Sequence, residues 1–263
     1  MLGQAVFRHL SGCGWRVTGT QHSDRNKPGY FDAAGDSSAW EPLLTGCDYA
    51  INCIGILARS ESVTAAIRVN ALFPHLLAER GVRVIHISTD GVFAEGGTRP
   101  YLESDTPDCV DHYGRTKVLG ECPASCVLNI RCSIIGRDKI GHKGLLEWLD
   151  KRPGGSEVQG YINQHWNGVT TLQYAQLCEA IIAGEAFDKV RAVSGVHHFC
   201  PNPATTKYGL LKTWCEVTGK RLTVKPVEGP PNQGRLLGTE YPSLSGLFTP
   251  AGEWLRILSE LAS

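Results

Sequence analysis

The chain has no excess of either charge. Its 26 lysines and arginines balance 26 aspartates and glutamates over 263 residues, so nothing in the composition points to a polyanion or a membrane surface as partner, and nucleic-acid binding is disfavoured. No apolar run approaches the roughly 20 residues of a membrane-spanning helix. The amino terminus also lacks a charged stretch followed by an apolar one, the pattern of a secretory signal, and a cytoplasmic location is the expectation. Cys-x-x-Cys pairs are missing as well. The ten cysteines are scattered, mostly inside apolar runs as at Cys53 and Cys132, and only Cys122 and Cys126 lie close together. Neither a disulfide framework nor a metal-ligand set has the spacing it needs, so reduced thiols and no metal are expected. Periodic repeats and low-complexity tracts are absent too.

What is present is alternation. A chain of this length buries roughly three quarters of its unfolded surface and needs no covalent staple. Helical and strand-like segments alternate in the βαβ manner. The spacing predicts a helix over Gln4 to Leu10, a strand over Trp15 to Gly19, a helix over Ser38 to Leu44 and a strand over Tyr49 to Ile54. A long helix from Ser62 to Arg80 is predicted to feed a strand ending at Ser88. A helix carrying Tyr113 and Lys117 and a strand over Ser125 to Arg131 follow. After about Gly136 the pattern loosens, with predicted helices over Leu172 to Ala183, Tyr208 to Thr218 and Ala251 to Leu261. The histidine pair at His197 and His198 lies in an apolar run and reads as core or surface histidine.

The most informative pattern is Ser88-Thr89-Asp90 followed by Tyr113-Gly114-Arg115-Thr116-Lys117. A tyrosine and a lysine four apart on a helix project from one face. An ammonium beside a phenol would lower a pKa that otherwise sits near ~10 and make Tyr113 a usable proton donor. The run Val82 to Ile87 reads as a buried parallel strand that delivers polar residues at its carboxyl end. A second hydroxyl, from Thr89 or its rival Ser88, would fix the same substrate oxygen. Asp90 either positions substrate or caps the turn.

The segment from His86 to Glu121, with Ser-Thr-Asp-x-Val-Phe, Pro-Tyr-x-Glu-x-Asp and Tyr-Gly-Arg-x-Lys-x-x-Gly-Glu in order, resembles the extended short-chain dehydrogenases/reductases, most closely the dTDP-4-dehydrorhamnose reductase-like group. "INCIGI" from Ile51, "VNALFPHLLAE" from Val69 and "LNIRCSIIGRD" from Leu128 continue the likeness. It implies an α/β fold: a Rossmann-like doubly wound parallel sheet over 1–136 and a smaller substrate-binding lobe over 137–263, interleaved with it. It further implies an NADP-dependent reductase of a 4-keto nucleotide sugar in surface-polysaccharide or deoxysugar biosynthesis, with two alternatives: a nucleotide-sugar epimerase of the same fold, or a non-catalytic NADP-binding regulatory subunit. Homodimers are common among such proteins.

The resemblance assigns residues. Thr89, Tyr113 and Lys117 are the catalytic set, with Lys117 also bonding the nicotinamide ribose. Gly3, Gln4, Asp32, Asn52, Cys53, Gly55 and Ser88 fall along the cofactor, and Asn70 supports the lysine network or is structural. Asn163, Gln164 and Asn167 face the sugar or base, and Arg235 the diphosphate. Gly19 to Ser23 carries no acid for a ribose 2′-hydroxyl and Arg25 follows, which favours NADP over NAD, with Asp24 weighing the other way. One departure stands out: the family opens with a strand and a Gly-x-x-Gly-x-x-Gly turn, whereas Met1-Leu2-Gly3-Gln4 matches only its last glycine. The expectation is a true start upstream of Met1, with a shortened product of impaired cofactor binding as the alternative.

Overall fold

The structure is a computed structural model that describes residues 1–35, 40–57, 62–138, 141, 144–231, 234–249 and 252–262. In chain order, helices α1 (Leu2–Gly12) and α2 (Glu41–Leu44) precede strand β1 (Tyr49–Asn52). Helices α3 (Val63–Ala66) and α4 (Phe73–Ala78) lead to β2 (Arg83–Thr89), and α5 (His112–Leu119) to β3 (Val127–Cys132) and β4 (Ile134–Ile135). Then come α6 (Leu145–Asp150), β5 (Glu157–Tyr161), β6 (His165–Trp166), β7 (Val169–Thr170), α7 (Thr171–Ala183), α8 (Phe187–Val193) and β8 (Val196–His198). β9 (Thr205–Thr206), α9 (Lys207–Thr218), β10 (Thr223–Val227), β11 (Gly234–Arg235) and α10 (Trp254–Ala262) complete the order.

The main sheet is parallel, in the order β1-β2-β3-β8. Its middle strands are apolar on both faces because helices cover both: Val84 and Ile85 on β2 and Val127, Leu128 and Ile130 on β3 are fully buried. On one side α1 and α7 pack Leu2, Val6 and Leu10 with Leu177, Cys178 and Ile181. Trp40, Phe31 and Phe73 fill the other side. A separate cluster of Leu146, Leu149, Leu211, Trp214, Ile257 and Leu258 builds the later part of the chain around β5 and β10. This is the Rossmann-like α/β architecture expected. Among the described residues no helix is long and apolar enough to cross a membrane, and all ten cysteines are free thiols.

Two expectations change, and a third is met as far as the described residues reach. Residues 15–20 form no strand: a cleft of about 1620 Å³, bordered by α1, residues 15–21 and β1, separates them from the free edge of β1, and an isolated extended segment has no ladder to join. Only Gln21 bridges, in parallel with Tyr30. The predicted helix over 38–44 is present from Glu41, and its start lies outside the described residues, as does Ala251 of the last predicted helix. The long helix predicted from Ser62 to Arg80 is interrupted by a π-helical segment, Ile67–Leu72. That widened turn carries the buried Asn70, whose amide donates to the Ile56 carbonyl (2.9 Å) and Thr116 Oγ1 (3.1 Å) and accepts from the Ile56 N–H (2.8 Å). Such an insertion is how a helix aims one polar side chain at two neighbouring elements.

Helix α5 begins where Asp111 accepts from the Gly114 N–H at 2.8 Å. It lies so close to its neighbours that two of its glycines have no room for a side chain. A Cβ on Gly114 would run into the Gly91 carbonyl and the Cys109 side chain, and one on Gly120 into the Asn70 carbonyl. Backbone cannot move aside cheaply, so Gly120→Ala is expected to cost about 1–3 kcal/mol, the usual penalty for overpacking. Urea titration of the variant should show a lower midpoint with an unchanged slope, and an unaltered midpoint would mean α5 is free to shift.

Candidate active site

Alternation along β2 sends the two hydroxyls to different partners, because successive side chains leave a strand on opposite faces. Ser88 donates to Glu121 Oε1 at 2.6 Å, beneath the sheet end. Thr89 faces the other way: its hydroxyl donates to Asp90 Oδ1 (3.1 Å) and accepts from the Gly91 N–H (3.0 Å), and it counteracts in part the effect of burial on the Tyr113 phenol. A Cβ on Gly91 would meet both Thr89 Oγ1 and the Tyr113 ring at 3.3 Å, so this glycine lets the two groups close over it.

Lys117 follows one turn after Tyr113 and is buried, as the four-residue spacing requires for a shared face. Its ammonium donates to the Ile87 carbonyl at 2.6 Å. Burial lowers its pKa from the usual lysine range to about 8, with the Glu121 carboxylate pulling the other way. The expected effect on the tyrosine is not found: burial pushes the Tyr113 phenol up to about 12. Desolvation of a phenolate outweighs what the lysine supplies, since the ammonium is itself desolvated and committed to a backbone carbonyl.

Under this pair lies a fully buried ion pair that sequence reasoning passed over. Arg131 on β3 donates in bidentate fashion to Glu121, Nε to Oε1 and Nη2 to Oε2, each at 2.7 Å. Both side chains are almost completely buried. The signal was in hand, for Glu121 closes the tyrosine-lysine motif, but its partner is on another strand. Burial raises the Asp90 carboxyl above the usual carboxylate range, against the opposing charge of Arg235.

The remaining sequence-assigned residues divide. Gly3 and Gln4 on α1 and Asn52 and Cys53 at the end of β1 line the cleft together, and a Cβ on Gly3 would sit 3.6 Å from that of Cys53. The Asn52 amide is engaged with His86 Nδ1 (3.0 Å) and the Ile54 N–H (3.1 Å), and burial pushes the Cys53 thiol up to about 12. Gly55 packs against the Asn70 amide oxygen. Arg25 is on an exposed turn, where Nε donates to the Tyr30 hydroxyl (3.1 Å) and the guanidinium rides over that ring. Asp32 accepts from the Ala34 N–H (3.0 Å), with His22 at 3.7 Å.

Arg235 donates through Nε to the Phe93 carbonyl (2.7 Å), has Glu95 at 3.6 Å, and its charge holds down the pKa that burial raises at Asp90. The two asparagines serve the backbone. Asn163 both donates to and accepts from Gly229 (3.0 and 2.8 Å), and Asn167 does the same with Leu237 (2.7 and 3.1 Å). Each amide clamps two loops with both of its ends. The Gln164 carbonyl accepts from the Lys207 N–H at the start of α9. His197 and His198 are core histidines bonded to the Val190 and Gly238 carbonyls.

A dinucleotide fits this end of the sheet in its donor set: Lys117 has two N–H bonds beyond the one engaged with Ile87, and α1 presents its first-turn N–H groups beside Gly3 and Gln4. Comparison with known proteins places the chain in a family. The dTDP-4-dehydrorhamnose reductase of Salmonella typhimurium is 28% identical over 134 residues, 49% of this chain and 43% of that protein. The dTDP-4-keto-6-deoxy-D-glucose reductase of Streptomyces niveus is 42% identical over 197 residues, 69% of this chain and 65% of that one. The matches thus span less than two thirds of either relative. A crystal structure of dTDP-4-dehydrorhamnose reductase from Bacillus anthracis in complex with NADP has a TM-score of 0.76 at 15% identity, covering 99% of this chain and 94% of that one, which is a likeness of fold. A family model for the RmlD substrate binding domain matches residues 1–235, most of the chain, and with the parallel sheet and the Thr89, Tyr113 and Lys117 arrangement this makes the protein a member of that family.

Proposed function

We propose that the protein is an NADP-dependent reductase of a 4-keto nucleotide sugar, serving surface-polysaccharide or deoxysugar synthesis. The observation that carries this reading is the Thr89 hydroxyl and the Tyr113 ring brought together over Gly91 at the carboxyl end of β2, with Lys117 buried one turn further along α5. The names of the relatives support the substrate class, and the NADP complex of the Bacillus anthracis protein supports the cofactor. The cofactor supplies a hydride to the keto carbon. Lys117 holds it through the nicotinamide ribose, while Gly3, Gln4 and the residues from Asn52 to Gly55 flank its other end.

The chain's own part is to hold an oxygen and deliver a proton. Thr89 and Tyr113 take the keto oxygen between their hydroxyls, and the phenol protonates it as negative charge develops. A phenol with its pKa pushed up to about 12 is protonated at neutral pH, the form a donor needs, and an alkoxide is far more basic still. Arg235 and Asp90 border the same oxygen-binding corner, and Arg235 is the group suited to the diphosphate.

The test follows NADPH absorbance over a panel of 4-keto nucleotide sugars. Stoichiometric oxidation is expected, with kcat/KM falling as pH rises through about 8, where the buried Lys117 gives up its proton. Sugar conversion without net oxidation would replace the reductase by an epimerase, and cofactor binding with no turnover by a regulatory role.

A further inference from the structure

Far from the hydroxyl pair, the end of α1 meets the side of α7. His9 and Cys13 lie four residues apart at the carboxyl end of α1, and the Cys13 N–H donates to the His9 carbonyl at 3.0 Å, so the helical turn continues through the cysteine and both side chains leave from one face. Glu179 reaches them from α7. His9 Nε2 is 2.7 Å from Glu179 Oε2 and 3.9 Å from Cys13 Sγ, and the three ligand atoms lie within 4.8 Å of one another.

We propose that His9, Cys13 and Glu179 form a binding site for a zinc ion that ties the end of α1 to α7. Imidazole, thiolate and carboxylate are the three side-chain types that zinc takes, and the mixed set suits a borderline-soft cation better than magnesium or calcium. The spans are right as well. Bonds of roughly 2.0–2.3 Å in a tetrahedron put neighbouring ligand atoms roughly 3.3–3.7 Å apart. The observed 2.7 and 3.9 Å bracket that range, and modest rotamer adjustments bring all three to it.

The metal-free arrangement already rehearses the site. His9 Nε2 is within reach of both the Glu179 carboxylate and the Cys13 thiol, so the three groups already face one another. Binding breaks the S–H bond, forms the metal–sulfur bond and releases one proton to solvent. His9 and Glu179 are partly shielded, with side-chain exposures of 18% and 29%, while Cys13 is exposed. An entering ion therefore meets an open side, and water completes the fourth position. The apolar packing of Leu2, Val6 and Leu10 against Leu177, Cys178 and Ile181 makes the two helices a firm base.

Metal-stripped full-length protein titrated with cobalt(II) tests this. One ion per chain is expected, with a near-ultraviolet thiolate charge-transfer band and visible bands of a four-coordinate ion, both abolished by added zinc. Cys13→Ser should remove the charge-transfer band, and His9→Ala and Glu179→Gln should each weaken zinc binding more than about tenfold, since even supporting residues of a metal site carry effects of that size. Circular dichroism confirms that each variant is folded, and Cys13→Ser, altering an exposed side chain, remains decisive if another variant is not. A charge-transfer band that survives Cys13→Ser, or a zinc affinity unchanged in all three variants, means an adventitious ion only and overturns the proposal.

Discussion

Tyr113→Phe is expected to lower turnover by about 10²–10⁴-fold, the range that a positioned proton donor contributes, while NADPH affinity stays within about twofold. The separation follows from where the hydroxyl is. The Tyr113 ring lies beside Thr89 over Gly91, whereas the cofactor's proposed anchors are Lys117 and the first turn of α1. Phenylalanine fills the same space, so the packing around Gly91 is preserved. Thr89 keeps its own bonds, donating to Asp90 and accepting from Gly91. Single-turnover kinetics with saturating NADPH, beside a fluorescence titration of the cofactor, measures both quantities. Turnover near the parent level would show that the proton comes from elsewhere.

How legible this arrangement was in the sequence depends on the range of each interaction. The α5 pair was readable because helical spacing alone puts Tyr113 and Lys117 on one face. The strand β2 was readable because Val84, Ile85 and Ile87 are an apolar run too continuous for a half-exposed sheet. The rival hydroxyls could not be separated by composition, yet the pleat of β2 separates them at once. What resisted reading was non-local. Nothing near Lys117 announces that its ammonium bonds the carbonyl of Ile87, thirty residues earlier, nor that burial would govern Tyr113's acidity. Asn163 and Asn167 were assigned to the sugar or base by family resemblance alone, and their backbone partners, Gly229 and Leu237, are more than sixty residues away. The segment 15–19 has a strand's composition, but a strand is defined by its neighbour, and the cleft takes the neighbour's place. His9, Cys13 and Glu179 are the extreme case, joined across 170 positions.

The largest effect on stability is expected at Glu121. Replacing it with alanine strands the Arg131 guanidinium in a site from which water is excluded, and breaking a buried pair from one side costs about 3–5 kcal/mol, a large share of the roughly 5–15 kcal/mol that holds a domain folded. Ser88 loses its acceptor in the same step. Arg131 has only the ring of Phe93, 5.1 Å from its centre, and His198 at 3.4 Å to turn to, and neither carries a fixed negative charge. The double variant Glu121→Leu with Arg131→Met removes both charges and should recover much of the loss, since the penalty arises from the unpaired ion rather than from absence of the pair. The milder Glu121→Gln keeps the shape and carries a second consequence. The carboxylate is the charge that raises the Lys117 pKa against the effect of burial, so without it the ammonium deprotonates below about 8. The alkaline limb of the pH-rate profile should then move to lower pH. Denaturant melts of the alanine and double variants, with pH profiles of Glu121→Gln, decide both points. If Glu121→Ala melts as the parent does, or if the limb stays where it was, the pair has no hold on either the sheet or the lysine.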